Sequence, residues 1–128
     1  MNRILVIAAA LLILTACTKT QLVYDVGEAV VVTGSGKAPT LDEMRAVVAR
    51  AVLVKTWKID SELDGRLNAS LAKGSKIARI QIDYSPEKYS IVYQSSELLL
   101  AGKGRIHRRY NAWIRGLEIT INRSLGDL

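Results

Sequence analysis

From Trp57 to Gln94 apolar residues fall on every second position, and this alternation restricts the fold more than any other feature of the chain. Trp57, Ile59 and Leu63 alternate with Lys58, Asp60 and Glu62. Leu67, Ala69 and Leu71 alternate with Arg66, Asn68 and Ser70. Ala78, Ile80, Ile82 and Tyr84 alternate with Arg79, Gln81 and Asp83, and Tyr89, Ile91 and Tyr93 with Ser90, Val92 and Gln94. A period of two belongs to half-buried strands. Asp64-Gly65, Gly74-Ser75 and Ser85-Pro86-Glu87-Lys88 separate the runs, and Asp-Gly is a strong hairpin signal. Four strands with short connections make an antiparallel meander with one apolar and one polar face, and only the apolar face needs cover.

Two helices supply that cover. Thr40-Leu41-Asp42-Glu43 matches a capping box, and Leu41, Met44, Val47, Val48, Ala51 and Val52 recur at helical spacing, so a helix is expected from Leu41 to Lys55. Ile106, Tyr110, Trp113, Ile114, Leu117 and Ile121 form a second stripe, with Arg108, Asn111, Arg115, Glu118 and Asn122 opposite it. Gly116 inside that helix costs about 1 kcal/mol relative to Ala, which marks a close packing contact. The expected fold class is α+β, a two-layer sandwich. It has an antiparallel four-stranded meander, to which Ala29–Val32 can add a short N-terminal strand, with two helices packed on one face.

The first twenty residues bear on location. Met1-Asn2-Arg3 is a short basic start, and Ile4 to Leu14 is an unbroken apolar run. A basic start, an apolar stretch of this length and small residues before a cut make a secretory signal. Eleven residues rise about 16 Å as a helix, too short for a bilayer core of about 30 Å. Leu14-Thr15-Ala16-Cys17 resembles the lipobox of bacterial lipoproteins. The resemblance implies cleavage after Ala16, a diacylglycerol thioether on Cys17 and acylation of the new amine. It also accounts for a single cysteine, which has no disulfide partner in the chain. Each buried methylene contributes about 0.8 kcal/mol, so two or three acyl chains would hold the protein on a membrane. Thr18, rather than Asp, follows the cysteine, which in enterobacterial lipoproteins favours the outer membrane. The expected organisation is a signal peptide over 1–16, a lipidated cysteine and tether over 17–28, and a single α+β domain over 29–128.

Tyr89-Ser90-Ile91-Val92-Tyr93 followed by Ile106-His107-Arg108-Arg109-Tyr110-Asn111-Ala112-Trp113-Ile114 resembles a family of small proteobacterial lipoproteins without an established activity. Its members pair a Tyr-Ser-Ile-x-Tyr strand with an Ile-His-x-x-Tyr-Asn-x-Trp helix, and the similarity runs along essentially the whole chain. Members often carry Asn-Leu in place of Leu98-Leu99, a Tyr in place of Ala101 and a basic residue in place of Gly74. If those polar positions form a site, this chain has lost part of it.

The residues offer little chemistry. One cysteine and one histidine exclude a zinc cluster of Cys and His. His107 lies at the edge of the apolar stripe beside Arg108 and Arg109, where a ring packed at the end of the sheet and hydrogen-bonding a loop carbonyl is favoured over catalysis. Gly34-Ser35-Gly36-Lys37 lacks the phosphate-loop pattern, because Val31 and Ala38 stand where a Gly and a Ser or Thr are required. Asp60, Glu62 and Asp64 are expected on one solvated strand face. No catalytic residue, metal or cofactor is expected.

Charge is the best functional hint. Residues 18–100 carry eleven Lys or Arg and ten Asp or Glu, whereas residues 101–128 carry six and two. The excess gathers on Lys103, Arg105, Arg108, Arg109 and Arg115, the expected partner-binding residues. Export removes nucleic acid as a partner and leaves phospholipid headgroups, peptidoglycan carboxylates and acidic protein surfaces. The expected function is a non-enzymatic envelope scaffold or adaptor, anchored through acylated Cys17 to the outer membrane and facing the periplasm. It would dock an envelope protein or peptidoglycan through the basic helix. The alternative is a ligand-binding module with a tyrosine-edged cleft between the C-terminal helix and the sheet.

Overall fold

A computed structural model describes residues 19–128. The expected signal segment and Cys17 lie outside the described residues. The elements are β1 (Thr20–Leu22), β2 (Val26–Val30), α1 (Leu41–Val54), β3 (Lys58–Leu63), β4 (Arg66–Lys73), β5 (Lys76–Tyr84), β6 (Lys88–Glu97), β7 (Arg105–His107) and α2 (Arg108–Gly126). Strands β3 to β6 form the antiparallel meander, and β2 adds a fifth strand beside β6, giving the order β2-β6-β5-β4-β3. Both helices cover one face, so the α+β sandwich is the observed fold.

The alternation is realised in the core. Leu67, Ala69 and Leu71, then Ala78, Ile80, Ile82 and Tyr84, then Tyr89 and Ile91 are buried. They pack in one cluster with Met44, Val47, Val48, Ala51 and Val52 of α1 and with Tyr110, Ile114, Leu117, Ile121 and Leu125 of α2. Among the described residues this core runs from Val26 to Leu125. The capping box of α1 forms: the Thr40 hydroxyl accepts from the Glu43 N–H at 3.1 Å, and the Glu43 carboxylate accepts from the Thr40 N–H at 3.3 Å.

Five details differ from the sequence reading. The chain from Thr20 is not a tether, because β1 pairs with β7, with Thr20 opposite His107 and Leu22 opposite Arg105. The N-terminal strand is Val26–Val30 rather than Ala29–Val32. Its register shifts between Val26 and Ala29, where Glu28 takes φ +43°. Ile106 is buried in β7, and α2 starts two residues later. Trp113 is only half-buried, at the margin of the core, whereas Trp57 is buried within it.

The fifth difference is a bulge in β3. Ile59 lies opposite Ala69, but Ser61 lies opposite Asn68 and Glu62 opposite Leu67. One extra residue reverses the alternation beyond it. Asp60 therefore accepts from the Ser70 hydroxyl on the open face, while Glu62 turns to the helices and takes Arg45 of α1 on both oxygens at 3.3 Å. Asp60 and Glu62 do not share a face, and Leu63 is exposed.

Candidate functional site

The five basic residues singled out by the sequence have different fates. Arg105 is committed to the fold: its guanidinium donates to the Thr20 carbonyl at 3.0 Å and to the Thr20 hydroxyl at 3.4 Å. Arg115 lies 4.7 Å from the centre of the Tyr24 ring, a cation–π contact, and the Tyr24 hydroxyl donates to Glu118 at 2.8 Å. Lys103 is exposed, in the turn closed by Gly102 and Arg105. That turn meets Val23, at the far end of the small sheet from His107. Arg108 and Arg109 are exposed in the first turn of α2.

The topology brings other cations to Arg108 and Arg109. The Arg108 N–H donates to the Lys19 carbonyl at 2.9 Å. Lys76, at the turn between β4 and β5, precedes Ile77, which pairs with Glu97 of β6. Two residues after Glu97, the Leu99 carbonyl accepts the His107 N–H at 2.7 Å, so the lysine stands near the start of α2, and its charge acts on His107 with those of Lys19, Arg108 and Arg109. Lys73 faces Lys76 directly across that turn. Among the described residues, Lys19, Lys73, Lys76, Arg108 and Arg109 form no ion pair. The result is a basic end around the start of α2, built from three parts of the chain. Of these five only Arg108 and Arg109 are legible in the sequence, because strand pairing, not spacing, delivers the lysines.

His107 is the N-cap of α2. Its Nδ1 accepts from the Arg109 N–H at 3.1 Å, satisfying one of the donors that every helix start leaves free. The ring must be unprotonated there. Partial burial lowers its pKa, and the charges of Arg109, Lys76, Arg108 and Lys19 lower it further. The bond differs from the expected one: Nδ1 accepts a backbone N–H rather than meeting a loop carbonyl.

Asn111 was expected on the solvated face of the helix, yet it is buried. Its Oδ1 accepts from the Tyr24 N–H at 2.9 Å, and its Nδ2 donates to the Leu22 carbonyl at 2.8 Å and the Gln21 side chain at 3.2 Å. It clamps the entering chain to α2. The Tyr-Asn pair within the quoted helix motif is the one sequence signal for it.

The tyrosines are packed rather than gathered at a wet edge. Tyr110 stacks edge-on to Tyr93, with centroids 5.6 Å apart and planes at 87°. Burial raises the pKa of Tyr110 and pushes that of Tyr89 up to about 12, although the Tyr89 hydroxyl donates to Asn122 at 2.7 Å. The space between α2 and the sheet is filled by Ile114, Leu117 and Ile121. What remains there is a marginal groove of about 300 Å³ beside Trp57, Leu71 and Trp113. A larger groove of about 510 Å³ lies between the helices, lined by Val47, Arg50 and Val54 of α1 and by Thr120, Arg123 and Ser124 of α2.

The loop of Gly34 to Lys37 abuts the end of α2: a Cβ on Gly34 would run into the Gly126 carbonyl. The Thr33 hydroxyl closes the loop on the Lys37 carbonyl at 2.7 Å. Gly116 admits the Lys55 side chain, the close contact its position implied. Among the described residues no helix is long and apolar enough to cross a membrane. No family model, no curated protein and no solved structure matches the chain.

Proposed function

We propose that the chain is an envelope lipoprotein, anchored by acylated Cys17 to the periplasmic side of the outer membrane, whose domain acts as a non-enzymatic scaffold or adaptor. The observation that carries this reading is the entry of the chain into the fold. Lys19, two residues after Cys17, is already bonded to the first residue of α2, and Thr20–Leu22 is paired with β7. A lipid on Cys17 would hold the domain directly on the headgroups, with no tether to let it roam. Thr18 after the cysteine supports the outer membrane as its address.

The surfaces turned away from that entry point are then the ones offered to an envelope protein or peptidoglycan. Among them is the groove lined by Arg50 and Arg123, toward the finish of α2. Arg105 and Arg115 are engaged within the fold, so the partner contact first placed along the whole basic helix narrows. Palmitate labelling tests the anchor. The wild type should incorporate label and fractionate with the outer membrane, and Cys17→Ser should abolish labelling and leave an uncleaved precursor. An unlabelled wild type, or a Cys17→Ser variant labelled at the wild-type level, overturns the reading.

A further inference from the structure

We propose that the basic end of the domain is itself a docking surface for an anionic phospholipid bilayer. Lys19, Lys76, Arg108 and Arg109 meet the headgroups there, and Leu98 and Leu100 enter the apolar layer beneath them. The proposal rests on the lipoprotein reading for its geometry but not for its test.

The chain breaks several local rules at this one end. The first turn of α2 carries two arginines and no acid, against a helix dipole that favours negative charge there. Lys73 sits directly opposite Lys76, where like charges repel. Glu97, the carboxylate beside Leu98 in sequence, is taken by Arg79 at 3.3 Å and leaves the cations uncompensated. Departures from local preference concentrated in one place point to a functional surface.

The loop after β6 adds the apolar component. Leu98 and Leu100 both have φ +56°, a left-handed backbone that residues other than Gly, Asn and Asp rarely adopt. Between them Leu99 is buried, and its carbonyl accepts the His107 N–H at 2.7 Å. The loop is thus pinned beside the start of α2 while its two outer leucines stay 67% and 60% exposed. Exposed leucines beside a cluster of Lys and Arg are the composition of an interfacial membrane contact. A soluble acidic partner would suit the charges but would not explain why this backbone keeps two leucines outside the core.

Position makes the bilayer the occupant. Thr18 alone separates Lys19 from Cys17, and the two steps span at most about 7 Å, comparable with one headgroup layer. Any lipid on Cys17 therefore brings this end to headgroup depth.

The test uses the fragment 19–128, which contains the core from Val26 to Leu125 and lacks Cys17, so its outcome is independent of acylation. Cosedimentation is measured with vesicles of phosphatidylglycerol in phosphatidylcholine and of phosphatidylcholine alone. The fragment should bind the anionic vesicles more tightly, and salt should weaken that binding. Arg108→Gln with Arg109→Gln should weaken it about thirtyfold, at roughly fivefold for each charge near the surface. Leu98→Asn with Leu100→Asn should weaken it roughly tenfold or more through lost apolar burial. Its melting temperature should hold or rise, since Asn tolerates the left-handed backbone. Arg50→Gln with Arg123→Gln, in the groove between the helices, should change binding by less than about threefold, because a bilayer beyond the Debye length is screened from them. Equal binding to both vesicle types overturns the proposal. So does a folded Arg108 and Arg109 or Leu98 and Leu100 variant that binds like wild type, or a groove variant that loses as much as the basic-end one.

Discussion

At the N-cap of α2 the chain places an imidazole where most helices carry a hydroxyl, carboxylate or carboxamide. His107 caps α2 through Nδ1, so protonation removes the acceptor and adds a cation to four others. Its pKa is held below 6.5, first by burial and then by Arg109, Lys76, Arg108 and Lys19. The unfolded chain therefore binds more protons in that window than the folded one. The stability from this cap is complete above about pH 6.5 and is lost as pH falls through the lowered value. Thermal melts from about pH 7 to about pH 5 should show this fall, and His107→Asn, which keeps a cap that does not titrate, should flatten it. An unchanged slope in the variant assigns the fall to other groups. Asn111 acts by the same logic of satisfied polar atoms. Asn111→Ala strands the Tyr24 N–H and the Leu22 carbonyl, and should cost about 2–3 kcal/mol in denaturant unfolding. It should also open residues 19–24 to proteolysis. Wild-type stability in that variant would mean water replaces the amide without loss.

The elements legible in the sequence are those whose signal is local. The capping box of α1 and the alternation of β4, β5 and β6 each lie within one segment, and each forms as read. The short β1 and β7 strands carry no period of their own. They exist because residues some 85 positions apart pair, which no window of sequence contains. Ile106 fits the angular stripe of α2 although it belongs to β7, since a buried strand residue next to a helix start is equally apolar. The bulge in β3 is hidden because Leu63 and Glu62 fit a period of two until one residue is added. Trp57 and Trp113 show the consequence for packing. Trp57→Ala should cost about 3–5 kcal/mol, as for a buried aromatic. Trp113, half-buried at the marginal groove, should cost clearly less. Equal losses would place Trp113 inside the core.

At the scale of the molecule, α2 is the axis that separates two ends. Its start carries Lys19, Arg108 and Arg109, and its finish meets the loop of Gly34 to Lys37. Nineteen helical residues place these ends about 28 Å apart. The charge asymmetry of the sequence pointed to α2, but not to one end of it, because Lys19 and Lys76 arrive there through the small sheet and the β4–β5 turn. Leu98 and Leu100 gave no signal, since exposure and backbone conformation are properties of the folded loop. A lipid on Cys17 would turn the basic end toward the bilayer and the Lys37 end away. Cys17 is the one cysteine, and a thioether would block it, so a cysteine introduced by Leu100→Cys or Lys37→Cys gives a single labelling site in the acylated protein. Each variant, carrying a fluorophore, is reconstituted into anionic vesicles that contain a headgroup quencher. The label at position 100 should be strongly quenched and that at position 37 nearly unaffected; equal quenching at both, or stronger quenching at position 37, would contradict the account.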